Sequence, residues 1–486
     1  MYISILLRKI ALANHGIKCI TQLRAASMSS LSSPSASISA LREQLRAFPE
    51  YSAAQADISR GKFQQALPAM QRIHEVVSGA MGSKSALAGL IDRERSLLLQ
   101  LSGNFEGADK ILANARVNAA DDSEVVRALQ QSVQNRLMWG SMSGAEAHAA
   151  EAVNICENAG ALMPLPLIAS SYSMRGVCAL QMHDWDAAEE FLQLAARWSQ
   201  TPITQIIALN NLGCVHWMLP YEKEGGTSSL RVDTRQLTIS QGKLWQSPQK
   251  LGTQDESQAK EALGYWDEAL EEALKGEGEG DAASAAAAMC GPTGGLATML
   301  GPDMEKSARV VPGAASVPAK KSRVRSEDEI LAIRLADCQF AVAYAGIICN
   351  AAAACTHIGN KQRSGELLAS AVKALDAHKS DLRAQPMLGR VLNLLAFANM
   401  AESNAVTAEG LFRASMEYLQ GPFARHQPLW RGELGLARGG YGVLLSKWEK
   451  RQQDCKRELA AAEELRQEGE KWAAGKSFHQ SYQFPL

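Results

Sequence analysis

The sequence carries almost no net charge. It contains 50 Lys and Arg residues against 51 Asp and Glu, which gives a formal net charge of −1. A protein that attracts nucleic acid or an anionic membrane surface through its overall field needs a marked excess of basic residues. Any such binding would have to depend on a local cluster, and we do not expect nucleic acid as a partner.

Cysteine motifs are also absent. None of the nine cysteines forms a CxxC pair with another. Most of them lie among alanines and leucines, so we expect small buried residues in a reducing compartment, and neither disulfides nor zinc ligands. Cys355 and His357 are two positions apart on a predicted helix and would face different sides. We therefore expect no metal site.

The common catalytic motifs are missing as well. The sequence contains no GxxxxGK followed by Ser or Thr, no HExxH, no GxSxG, and no GxGxxG that follows a strand. Convincing strands are not found either. We therefore predict that the protein is not an enzyme and binds no cofactor. Its 486 residues, 46% of them hydrophobic, are nevertheless enough for a large folded core.

The N-terminus lacks acidic residues: none precedes Glu43. Five Lys and Arg residues lie in the first 42 positions, and a Ser-rich segment, SMSSLSSPSAS, follows. Apolar residues recur at steps of four and three, as on one face of a helix: Leu6, Ile10, Ala13, Ile17 and Ile20. This composition is typical of a mitochondrial transit peptide, which we predict within residues 1–45. Arg24 lies three residues before Ser27, an arrangement that resembles a matrix-processing site.

The predicted location is therefore the mitochondrion, in the matrix or associated with the inner membrane. The alternative is a cytoplasmic protein whose true start is Met28. No apolar run approaches the roughly 18 residues needed to cross a bilayer. We expect no transmembrane segment, so any contact with the inner membrane would be peripheral.

Small residues recur twelve positions apart. In each case a short polar or Gly-containing turn separates two segments with apolar residues at helical spacing, which predicts a helical hairpin. Two helices can cross closely only where one side chain at the crossing is small. The pairs are Ala54 and Ala66, Ser96 and Ala108, Gly176 and Ala188, Ala352 and Ser364, and Ala396 and Ala408.

This spacing resembles the tetratricopeptide repeat (TPR) family. The family's small, large and small positions are matched by two sets of residues: Gly176, Ala188, Leu192 and Ala195, and then Ala396, Ala408, Phe412 and Ser415. The resemblance implies an all-α fold, a superhelical array (α-solenoid) of about seven hairpins. The predicted hairpin starts lie near residues 47, 89, 126, 169, 206, 345 and 389.

Two stretches interrupt the array. LNNLGCVHWML, residues 209–219, is a strong first helix, but its partner AKEALGYWDEALEEAL follows only after an insertion at about 222–257. Residues 276–326 are rich in Gly, Ala, Pro and Ser, which predicts a disordered linker. The predicted domains are listed in chain order: an N-terminal array at 46–275, the linker, a C-terminal array at 327–424, and capping helices with a tail at 425–486.

The resemblance also suggests which residues bind a partner. TPR proteins present the first helix of each hairpin on a concave face, and asparagine amides there hold a peptide backbone. The candidates on this face are Asn210, Asn211, Asn350 and Asn393, with apolar contacts from Trp217, Phe397 and Met400. Alternatively, the asparagines satisfy backbone groups between repeats. The basic clamp of chaperone-binding members is missing at Ser173 and Val177, which disfavours a chaperone cofactor.

The favoured function is a noncatalytic scaffold or adaptor that binds other proteins and assembles or stabilises a mitochondrial multi-subunit complex. One alternative is organellar RNA binding, as in pentatricopeptide relatives, which the irregular period and low charge disfavour. Another is a cytoplasmic or nuclear subunit of an mRNA-deadenylase-type complex, whose NNLGC helix resembles residues 210–214. The basic cluster at 320–325 would be a nuclear address in that case, or a solvated run otherwise.

Overall fold

A computed structural model describes residues 38–182, 184–199, 201–218, 253–275 and 327–472. Within these ranges the regular structure is helical and includes no strand. The predicted linker, the first 37 residues and most of the predicted insertion lie outside them.

The described residues form eighteen α-helices, which confirms the predicted all-α class. In chain order they are α1 (Ile38–Leu45), α2 (Pro49–Ser59), α3 (Phe63–Met81), α4 (Ala86–Leu101), α5 (Phe105–Val117), α6 (Asp122–Trp139), α7 (Met142–Ala159), α8 (Leu165–Gln181), α9 (Trp185–Trp198), α10 (Pro202–Met218), α11 (Thr253–Glu272), α12 (Glu327–Leu335), α13 (Cys338–His357), α14 (Lys361–Asp376), α15 (Ala384–Ala401), α16 (Ala405–Leu419), α17 (Pro428–Ser446) and α18 (Gln452–Trp472).

Successive helices pack as hairpins that stack along the chain. Seven hairpins match the repeat pattern, and α17 with α18 forms a terminal hairpin: the seven are α2–α3, α4–α5, α6–α7, α8–α9, α10–α11, α13–α14 and α15–α16. We call the first helix of each hairpin its A helix and the second its B helix. Each A helix also packs against a helix of the next hairpin, so the structure is an α-solenoid with about the predicted number of repeats.

Side-chain caps fix where several helices begin. The Ser85 hydroxyl accepts a hydrogen bond from the backbone N–H of Ala88, three residues into α4. The carboxylates of Asp121 and Asp337 cap α6 and α13 in the same way. Each cap satisfies a backbone N–H that the helix leaves free at its start. For this reason α13 starts at Cys338, seven residues before the predicted start near 345.

The small residues lie where the two helices of a hairpin cross, as predicted. A Cβ atom added at Gly176 would lie 2.6 Å from Leu192 Cγ, and one added at Gly213 would lie 2.5 Å from Trp266 Nε1. Ser364 is close enough to α13 for its hydroxyl to donate a 2.9 Å hydrogen bond to the carbonyl of Ala352. Backbones can approach this closely only because no larger side chain stands between them.

The two predicted arrays share one core. A single cluster of buried apolar residues includes Leu180, Trp266, Phe340, Leu388 and Trp430, which come from both sides of the predicted linker. At the same junction the Arg334 guanidinium donates hydrogen bonds to the carbonyls of residues 272, 273 and 275, at the end of α11. The hairpins before and after residues 276–326 therefore stack directly on each other.

One described helix, α13, is long and apolar enough to span a membrane. The sequence analysis missed it because Gln339, Asn350 and Thr356 interrupt the apolar residues. In the structure 83% of an 18-residue window of α13 is buried inside the protein. It packs as a central core helix against α11, α14 and α15.

The ends of the array meet. Gly61, in the α2–α3 turn, lies against Pro422, and Gly103, in the α4–α5 turn, lies against His426. Leu382 and Phe423 pack against the first apolar cluster, which α1 to α4 form. We call this contact the closure seam: turns 60–62 and 102–104 on one side, Leu382 and loop 420–427 on the other. It joins the first two hairpins to the loops that flank α15 and α16.

Replacing Gly61 with alanine is expected to destabilise the seam. Gly61 has a positive φ of 72°, and an added Cβ would lie 2.4 Å from Pro422 Cγ. Strain at a positive φ costs about 1 kcal/mol, and overpacking adds roughly 1–3 kcal/mol. Urea denaturation should show a loss of about 2–4 kcal/mol for Gly61→Ala.

Gly359 is the matched control. Its φ is +83°, but nothing lies within 4 Å of an added Cβ. Gly359→Ala should therefore lose only the backbone term of about 1 kcal/mol. Equal losses for the two variants would show that the seam contact does not form in solution.

Candidate functional site

The A helices lie inside the solenoid. Fifteen residues of α13 are buried, whereas α14, its B helix, buries five. The same contrast holds for α8, with twelve buried residues, and α9, with four. A helix that is buried on all sides normally carries apolar residues only. The A helices of this protein carry many polar ones.

These polar side chains recur at one register, three positions before the residue at which the A helix crosses its B helix, namely Ser96, Val133, Gly176, Gly213 and Ala396. We call them the inner row: Arg93, Gln130, Ser173, Asn210 and Asn393. All five are buried, with Gln130 and Asn210 fully inaccessible to solvent. Cys349 holds the equivalent place on α13, and burial raises the pKa of its thiol to about 11, so the thiol is inert near neutral pH.

In the first half of the array, glutamines connect successive A helices. The amide N–H groups of Gln131 donate to the Arg93 carbonyl and the Ser96 hydroxyl, both on α4 and both at 2.8 Å. The neighbouring Gln130 donates in the opposite direction, to the hydroxyls of Ser170 and Ser171 on α8 at 2.7 and 2.9 Å. Helix α6 is thereby hydrogen-bonded to the A helix on either side.

In the second half, asparagines and one arginine make the connection. The Asn350 amide donates to the Asn210 side-chain oxygen at 2.8 Å, and Arg390 donates to the Asn350 side-chain oxygen at 3.0 Å. Arg390 Nε also lies 3.7 Å from a carboxylate oxygen of the buried Glu433. This chain of contacts crosses from α10 through α13 and α15 to α17.

The four predicted asparagines are all buried: Asn210, Asn211, Asn350 and Asn393 are at most 3% exposed. The structure brings Asn210, Asn211 and Asn350 together in one hydrogen-bonded group. These hydrogen bonds join side chains to one another and not to backbone groups between repeats, which the alternative interpretation proposed. Their burial leaves no surface that a partner could reach while the hairpins stay packed, so direct partner contact stays a prediction.

The predicted aromatic contacts are also packed within the protein. The Trp217 ring lies 6.0 Å from the Trp266 ring and 5.1 Å from the His357 ring. The Phe397 ring makes an edge contact with Phe412 at 5.2 Å. Trp217 and Phe397 are half-buried, so only part of each ring is open to a partner.

Several inner amides have hydrogen-bonding capacity that the chain does not use. Gln100, 1% exposed, has no partner for its side-chain nitrogen or its oxygen. Other buried atoms without a partner are Gln130 Oε1, Gln134 Nε2, Ser173 Oγ, Asn211 Nδ2 and Asn393 Oδ1. A buried polar atom without a partner costs about 1–3 kcal/mol. Such atoms on α4, α6, α8, α10 and α15 mark the interior as a place that could hold a polar ligand.

Two buried arginines of the A helices, Arg93 and Arg390, are paired with carboxylates. Arg93 forms a buried ion pair with Glu124, which also accepts a hydrogen bond from Arg127. Although burial opposes it, the charge of Arg93 keeps the pKa of Glu124 below its usual value. Arg390 pairs with Glu433. Among the described residues, these inner arginines do not form an open cationic clamp for a ligand carboxylate.

The sequence analysis missed the glutamines of α4 and α6. Gln130 stands at the same register as Asn210 and Asn393, but the residue three positions after it is Val133, so no small residue marks that register on α6. Gln100 lies one turn after the small residue Ser96, and its burial is visible only in the structure.

No family model matches this chain, and no curated protein matches its sequence. Solved structures with a similar arrangement include the TPR2AB domain–pHSP90 complex of yeast Sti1, at 10% identity over 76% of this chain and 97% of that chain, with a TM-score of 0.24. A Rap protein complexed with competence and sporulation factor has 11% identity over 80% and 94%, with a TM-score of 0.25. The P58(IPK) TPR domain has 13% identity over 94% and 98%, with a TM-score of 0.17.

At such TM-scores the whole chains superpose poorly, and the likeness carries no argument about activity. The class of this protein is defined by its own geometry. Small residues bring the two helices of a hairpin together, twelve positions apart in five of the hairpins, and seven hairpins stack in order along the chain. The chain is a TPR-like all-α solenoid.

Proposed function

We propose that the protein is a noncatalytic scaffold that binds other proteins through its A helices. The observation that carries this proposal is the set of buried, unpartnered polar atoms along the A helices. A peptide backbone offers alternating N–H and C=O groups, which amides such as Gln100 can bind with a donor and an acceptor at once. Many weak contacts along a solenoid add up to a specific complex.

The process served is proposed to be the assembly or stabilisation of a mitochondrial multi-subunit complex. Its support is the composition of residues 1–45, which are acid-free before Glu43 and Ser-rich. Association with the matrix face of the inner membrane, as a peripheral protein, belongs to the same proposal.

Two fusions to a fluorescent reporter test the location. The full chain should colocalise with a mitochondrial marker, whereas a chain that starts at Met28 should remain in the cytosol. Equal cytosolic staining for both fusions would contradict the mitochondrial proposal and favour the cytoplasmic alternative. Affinity purification of the tagged full chain from isolated mitochondria should then recover a stoichiometric protein partner. Recovery of RNA instead would contradict the scaffold proposal.

Gln100→Met tests the role of the inner amides. Methionine keeps the volume and removes the amide, whose two polar atoms have no partner in the free chain. The variant should be more stable than the original protein by about 1–2 kcal/mol, because a desolvation cost disappears. It should also bind the purified partner about fivefold more weakly, since one hydrogen-bonding residue is lost.

Gln193→Met is the matched control. Gln193 is exposed on α9 and bonds only to Glu189, one turn away. The substitution should change both stability and affinity very little. If Gln100→Met binds as tightly as this control, the partner does not use the interior.

A further inference from the structure

The closure seam brings basic residues together from distant parts of the sequence. Arg60 and Lys62 flank Gly61 in the α2–α3 turn, and both are exposed. Pro422 lies against Gly61, and Arg425, one turn further along the same loop, donates its backbone N–H to the Gly421 carbonyl at 3.1 Å. The seam therefore has exposed cations on both of its sides.

The acids near the seam are mostly engaged elsewhere. Asp381 pairs with Arg383, and Glu106 pairs with Lys110. Asp57 is half-buried near the end of α2, three residues before Arg60, and the segments of the seam themselves contain no carboxylate. Arg60, Lys62 and Arg425 have no ion pair with any described residue. The local charge is thus positive although the protein as a whole is nearly neutral.

The pKa of His426 reflects its burial and the positive charge on this side of the seam. It lies against Gly103, in the other turn of the seam. Burial, assisted by the charges of Arg425 and Arg431, lowers the pKa of the His426 imidazole. Protonation of His426 is therefore opposed by its burial and by Arg425 and Arg431, which lie on its own side of the seam.

Like charges that face each other across a contact destabilise that contact. A chain that must close at such a place gains stability when an anion lies between the two sides. We propose that the closure seam binds an acidic polypeptide segment, which bridges Arg60 and Lys62 on one side and Arg425 on the other and so holds the solenoid closed. A polypeptide is favoured over nucleic acid because three cations neutralise too few phosphates to hold a nucleic acid, and the nearly neutral chain adds no general attraction.

This inference does not depend on the proposed function, because the seam lies outside the inner row. An acidic segment could bind there whether or not a partner occupies the interior. If both occur, a bound acidic segment would oppose the opening of the hairpins that gives access to the inner amides.

The test uses the full chain and a fluorescently labelled peptide of ten glutamates, with binding followed by anisotropy at low ionic strength. The triple variant Arg60→Gln, Lys62→Gln, Arg425→Gln should bind about tenfold more weakly, since each surface ion pair contributes a severalfold factor at most. Added salt should weaken binding to the original protein. The charge-preserving variant Arg60→Lys, Arg425→Lys should bind within about twofold of it.

A second triple variant controls for net charge. Lys361, Lys373 and Lys447 are exposed and have no ion pair with a described residue, but they are not gathered at the seam. Changing all three to glutamine should alter the affinity by less than about twofold. An equal loss in both triple variants would overturn the proposal, because binding would then follow overall charge.

Hydrogen exchange tests the locking effect separately. The peptide should slow exchange in segments 58–62 and 420–426, and binding without such protection would overturn the bridge across the seam. An oligouridine of the same charge serves as the competing probe. If it binds more tightly than the peptide and loses affinity in the seam triple variant, the site is a nucleic-acid site and the acidic-polypeptide proposal is wrong.

Discussion

Replacing Trp266 with alanine is expected to lower the free energy of unfolding by about 4 kcal/mol, in the range measured when a buried aromatic side chain is truncated. Trp266 is 2% exposed, and its ring occupies the space that Gly213 leaves open on α10. Its indole N–H also donates a 3.2 Å hydrogen bond to the Asn210 carbonyl. The variant loses apolar contacts, leaves a cavity and frees a buried carbonyl.

This result would test how the chain continues after a long interruption. Trp266 follows Trp217 by 49 positions, yet both lie in one hairpin, α10–α11. A loss of stability of this size is expected only if α11 is the B helix that pairs with α10 in one hairpin. Urea denaturation followed by far-UV circular dichroism measures the loss.

Trp198→Ala is the matched control for this experiment. Trp198 ends α9 and is 39% exposed, so its removal should cost less than about 1 kcal/mol. Equal effects of the two substitutions would place α11 somewhere other than against α10.

Arg390→Met is expected to have the second large effect, a loss of about 3–5 kcal/mol, which is typical when one partner of a buried ion pair is removed. Arg390 is 2% exposed, and Glu433 is 4% exposed. Without the guanidinium, the Glu433 carboxylate loses a cation that lies 3.7 Å away, and the Asn350 oxygen loses a donor. The substitution therefore breaks, near its middle, the chain of hydrogen bonds and ion pairs that runs from α10 to α17.

A double substitution separates the ion pair from simple packing. Arg390→Met with Glu433→Leu removes both charges, and it should recover more than half of the lost stability because no unpaired carboxylate remains. If the double variant is as unstable as the sum of its parts, the two residues are not coupled. As a surface comparison, Lys110→Met removes the exposed partner of Glu106 and should leave the stability nearly unchanged.

The repeat architecture could be predicted because its cause is local. A close crossing of two helices needs a small residue, and pairs of small residues twelve positions apart are visible without any coordinates. The predicted hairpin starts are displaced by two to seven residues from the observed ones, for example 169 against Leu165. Apolar spacing shows where a helix packs, whereas its first residue depends on a cap such as Asp337.

The candidate site was predicted only in part. The asparagines were placed correctly on the A helices, at a register that the small residues define. The register determines which way a side chain points, but it does not determine which residue of another hairpin that side chain contacts. Asn350 contacts Asn210, which lies 140 positions earlier in the sequence, only because α13 stacks on α10. No sequence pattern predicts how the intervening residues connect these two helices.

The sequence by itself determined that this protein is a stack of helical hairpins, since helix pairing depends on side-chain size at short range. Only the tertiary structure decided that the stack closes on itself at Gly61 and Pro422, that the inner amides are buried, and that the turn of Arg60 and Lys62 lies at the same seam as the loop of Arg425. The reason is geometric: closure depends on the sum of small rotations between successive hairpins. A local pattern of residues does not fix that sum.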